Sequence, residues 1–92
     1  MIDIEALQNM DPILFEQMQP YVQQVVSRFG GGRDLTETDI TQMAYQVVSG
    51  SLSQFYPPAG YDLSMLIDIA RLLVLISLNN TYGYNLNRFW QL

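Results

Sequence analysis

The sequence predicts an all-α fold, a small bundle of three main helices over about 12–29, 36–55 and 62–79, with short terminal turns. Three observations carry that expectation. Apolar residues recur at spacings of three and four within each segment, which places them on one side of a 3.6-residue helix. Each segment opens on a residue of the kind that caps helices, and glycine, asparagine or proline stands near each end. Strand-like alternation is confined to Tyr82, Tyr84 and Leu86.

The first helix starts at Asp11-Pro12, with Asp as N-cap and Pro at the first helical position, where its missing N–H is harmless. Leu14, Met18, Tyr21, Val22, Val25 and Phe29 form its apolar stripe. Pro20 falls on the opposite, Gln-rich face, so a bent helix is expected rather than two pieces. Gly30-Gly31-Gly32 ends it.

The second helix opens within DLTETD, where Asp34 with Glu37, or Thr36 with Asp39, makes a capping box. Ile40, Met43, Ala44, Val47, Val48, Ser51 and Phe55 read as its buried face. Gly50 costs about 1 kcal/mol relative to Ala in a helix interior, so the helix either stops near Ser49 or packs very closely there. FYPPAGYD follows as a stiff aromatic connection, and Asp62 caps the third helix.

In that third helix, twelve of the sixteen residues from 63 to 78 are apolar. On a helical wheel Ser64, Asp68, Arg71 and Asn79 share one narrow strip with Leu75, and Asp68 with Arg71 has the spacing of a weak surface ion pair. Asn79-Asn80 and Gly83 are expected to end the helix. A turn near residues 4–10, capped by Asp3, and a last turn capped by Asn85 complete a single domain over 1–92.

Composition narrows the function. The net charge is −5, with four Arg and no Lys, which argues against a nucleic-acid backbone or an anionic membrane as partner. The absence of Cys and His removes thiolate nucleophiles, imidazole bases, disulfides and the usual zinc sites. Asp34, Glu37 and Asp39 cluster at a helix start, where capping accounts for all three, so no metal, no cofactor and no enzymatic activity are expected. The opening MIDIEALQNM lacks a basic region followed by an apolar run, and a cytoplasmic location is the expectation.

The apolar third helix has the length of a membrane span, yet Asp68 and Arg71 would lie near the middle of the bilayer and no basic flank sets an orientation. The favoured reading is a soluble core helix with apolar surface left over for a second copy, most simply a two-fold dimer. Leu66, Ile69, Leu73 and Ile76 are the expected self-association residues. Arg88, Phe89 and Trp90 in the tail are expected either to close the core or to dock a partner.

These readings point to a non-enzymatic protein–protein interaction module: a helical homo-oligomer acting as an adaptor, assembly or regulatory subunit, with a heterologous protein as a further partner. The alternatives are a structural subunit of a larger particle, such as a virion or secretion assembly, and a small membrane-associated protein using residues 62–79.

Overall fold

A computed structural model of the chain describes residues 12–29, 34–57 and 59–84. It is the expected all-α bundle of three helices: α1 (Pro12–Phe29), α2 (Glu37–Leu52) and α3 (Leu63–Tyr82), each packed against the other two. The Asp11 cap, the Gly30–Gly32 stop and the two terminal turns lie outside the described residues.

Local chemistry sets the helix starts. Of the two capping boxes the sequence allows, Thr36 with Asp39 forms. The Asp39 N–H donates to Thr36 Oγ1 at 3.1 Å, and the Thr36 N–H donates to Asp39 Oδ2 at 3.0 Å. Two of the donors orphaned at the helix start are thereby satisfied. Asp62 caps α3 by accepting from the Met65 N–H at 2.8 Å. α1 runs unbroken through Pro20, whose ring is exposed on the outer face.

Helix ends follow packing instead. α2 passes through Gly50 and stops at Leu52, short of residue 55, where the Ser53 and Gln54 N–H groups make tighter bonds to the carbonyls three residues back, those of Gly50 and Ser51. Close packing is the realised alternative at Gly50, with the Tyr21 ring seated directly over it. α3 continues past the asparagines to Tyr82 and ends on Gly83, which takes the left-handed conformation (φ 70°) and donates its N–H to the Asn79 carbonyl at 2.9 Å. The extra turn brings the Tyr82 hydroxyl to the Val26 carbonyl at 3.2 Å, satisfying one of the acceptors left open at the end of α1.

That bond joins the last turn of α1 to the last residue of α3, while Gly50 near the end of α2 meets Tyr21 and Asp39 near its start lies by Arg28 and Phe29, so α1 and α3 run parallel and α2 runs against both. The start of α1, the end of α2 and the start of α3 therefore share one pole of the bundle.

The core is close to the set that the apolar spacing marks. Leu14, Met18, Val22 and Val25 of α1 and all six residues expected in the body of α2 are buried, with Val26 and Leu35 added. α3 departs from expectation. Residues 73–78 are all buried, including Leu75 at 1% exposure on the strip expected to face water. Asp68 is solvent-exposed and Arg71 is half-buried with no partner for its Nε among the described residues, and the expected ion pair between them does not form. The strip is wet at Ser64 and Asp68, enclosed at Leu75 and wet again at Asn79.

Two buried serines make a controlled comparison. Ser51 donates to the Val47 carbonyl at 2.7 Å, whereas Ser77, 7% exposed, finds no partner for its Oγ among the described residues. A buried hydroxyl without a partner costs about 1–3 kcal/mol. Ser77→Ala is therefore expected to raise thermal stability, by about 1 kcal/mol or more, while Ser51→Ala leaves it level or lowers it. Paired melting curves check this, and a loss of stability in Ser77→Ala would show that its hydroxyl is bonded.

Candidate functional site

The four residues assigned to self-association are core residues of a single chain. Leu66, Ile69, Leu73 and Ile76 are all buried within the single chain, in the core cluster that α3 shares with α1 and α2. Residues 73–78, in the C-terminal half of α3, are all buried, and the helix belongs to one core cluster with α1 and α2. Arg88, Phe89 and Trp90 lie outside the described residues.

The described residues contain no group of three or more Asp or Glu placed to hold a metal ion. Asp39, one of the acidic cluster of the second helix, is engaged in the capping box. Two open depressions lie between α1 and α2. The larger, about 540 Å³, is walled by Tyr21, Gln24, Arg28, Tyr45, Gln46 and Ser49, with Gly50 at its edge. It holds a serine hydroxyl but no carboxylate to activate it, and the chain has no histidine. The smaller, about 180 Å³, shares Arg28 and Gln46 and adds Asp39. Both are surface grooves of mixed polarity.

The apolar surface left over is at the pole. Six large apolar or aromatic side chains are exposed among the described residues. Five of them, Ile13, Leu52, Tyr56, Leu63 and Met65, belong to the start of α1, the end of α2, the connection after it and the start of α3. Tyr45 is the sixth, two turns back along α2 on the side of Leu52.

The connection explains how this surface is held. Phe55 and Tyr61 pack against the core and pin the loop at both ends. Gly60 turns the chain with φ 97°, a conformation that disfavours any side chain. Between those anchors Tyr56 is turned out, 95% exposed, next to Pro57. The aromatic loop therefore has an inner pair and an outward ring, a division its sequence spacing does not reveal.

α3 is long and apolar enough to cross a membrane, with a mean hydropathy of 1.5 over its best window, and half of that window is buried inside the bundle. A core helix passes the same test. No family model, curated protein or solved structure matches the chain.

Proposed function

We propose that the protein is a non-enzymatic protein–protein interaction module that makes its contact through the pole formed by Ile13, Leu52, Tyr56, Leu63 and Met65. The observation that carries this reading is the segregation of exposed apolar side chains. Single exposed apolar residues are ordinary on a protein surface, but a group of them at one place marks an interaction site.

Aromatic and large apolar side chains dominate interface energetics, and Tyr56 is held out by a connection anchored on both sides. A segment anchored at both ends loses less conformational freedom on binding than a free one, which leaves more of the contact energy for affinity. The whole chain would act as a scaffold presenting this pole, in the manner of an adaptor or assembly subunit.

The test is a titration of isotope-labelled chain with a synthetic amphipathic helix that carries leucine on one face. Resonance changes are expected to concentrate at Ile13, Leu52, Tyr56, Leu63 and Met65. A double substitution of Tyr56→Ser with Leu63→Ser is expected to preserve the melting temperature and remove the response, since both side chains are largely exposed. Changes spread evenly over the bundle, or no binding at all, would defeat the reading.

A further inference from the structure

We infer that the occupant of the apolar pole is a foreign protein segment with an apolar face bordered by Lys or Arg, and not a second copy of this chain. The inference rests on the interaction reading above and adds the chemistry of the partner. Its basis is the charge that surrounds the pole.

Glu16, one turn into α1, and Asp62, at the start of α3, are both exposed beside the apolar side chains. Asp68 follows on the next turn of α3 and is also exposed. No cation lies at this pole among the described residues: Arg28 sits in the last turn of α1, at the far pole, and Arg71 sits midway along α3. The chain as a whole contributes the same sign, with a net charge of −5.

Two copies meeting through this pole about a two-fold axis would bring the acidic side chains of one copy up to those of the other, with no cation among the described residues there to separate them. Like-charge juxtaposition of this kind suppresses a partner, and complementary charge selects one. A basic rim around an apolar face answers both features: the apolar centre covers Tyr56 and Leu63, and the cations face the carboxylates. The chain's overall negative charge also draws a basic segment in and repels another copy at a distance.

The experiment compares three versions of the leucine-faced helical peptide, identical except for flanks of Lys, Gln or Glu, with affinity measured on the full chain at low and high salt. The Lys-flanked peptide is expected to bind about tenfold or more tighter than the Glu-flanked one at low salt, with the gap narrowing as salt screens it. Glu16→Gln with Asp62→Asn removes both charges and keeps an N-cap acceptor at position 62, since Asn caps as well as Asp. That variant is expected to fold normally and to bind the Lys-flanked and Gln-flanked peptides alike. The chain alone is expected to keep a mass of 10.5 kDa across a tenfold dilution.

Equal affinity for all three peptides, still dependent on Tyr56 and Leu63, would overturn this inference and leave the interaction reading standing. A doubled mass that Tyr56→Ser with Leu63→Ser abolishes would overturn it in favour of a second copy. Failure of every peptide to bind, with the chain monomeric, would overturn both.

Discussion

Leu73→Asp is expected to leave the chain unfolded rather than folded and dissociated. Leu73 is 1% exposed at the centre of α3, in a core shared with α1 and α2. Truncating such a leucine to alanine costs about 2–5 kcal/mol through lost transfer energy and the cavity left behind. A carboxylate at the same place adds the cost of a buried charge without a cation beside it, several kcal/mol more. A domain of this size has roughly 5–15 kcal/mol of stability in total, so the sum removes most or all of it. Circular dichroism should show loss of the helical signal at 25 °C, and Leu73→Ala should fold with a lowered midpoint. A folded Leu73→Asp monomer would mean that α3 presents this face to solvent and that the core described here is misplaced.

Gly50→Ala is expected to destabilise the bundle although alanine is the better helix former. The exchange gains about 1 kcal/mol of helix propensity. Against that, a Cβ at position 50 would lie 2.8 Å from Tyr21 Cδ1 and 3.4 Å from its Cε1. The obstruction is the near side of an aromatic ring packed against the core, not the free end of a flexible chain. Overpacking of this kind costs about 1–3 kcal/mol, enough to reverse the sign. The diagnostic is the double variant: with Tyr21→Ala in place, Gly50→Ala should become stabilising. A wild-type background in which Gly50→Ala raises the melting temperature would falsify the ring contact.

Gly50 also marks where sequence reading reaches its limit. A glycine inside a helical pattern is compatible with a stop or with a close approach, and only the partner decides between them. That partner is Tyr21, twenty-nine positions earlier in the chain. Helix starts were legible because their chemistry is local: Thr36 with Asp39, and Asp62 with Met65, lie three residues apart. Helix ends were less so. α3 gains its last turn where Tyr82 reaches Val26, a contact across 56 positions. Six of the seven residues read as the buried face of α2 are buried, Phe55 being only partly so beyond the helix end, because two neighbouring helices cover one side of an ordinary amphipathic helix.

The position of the exposed apolar side chains was not readable. A helical wheel counts apolar residues around an axis and says nothing of how coverage varies along it. Leu66, Ile69, Leu73 and Ile76 stood out as candidates because α3 is apolar on most sides, and that same property made it the helix the others enclose. The exposed set instead gathers where three helix ends meet, which becomes visible only when Val26 and Tyr82 fix the helix directions. Tyr56 and Tyr61 look alike in FYPPAGYD, and only packing turns one outward and the other in.

The hydrogen bond from Tyr82 to Val26 has a further consequence that depends on parity. With an odd number of antiparallel passes, the described chain enters the bundle at one pole and leaves it at the other. A 20-residue helix spans about 30 Å, so Pro12 and Tyr84 are separated by roughly that distance. A cargo joined after Tyr84 would stand clear of whatever occupies the apolar pole, while one joined before Pro12 would compete with it for space. Tension applied between Pro12 and Tyr84 would run along all three helices in series.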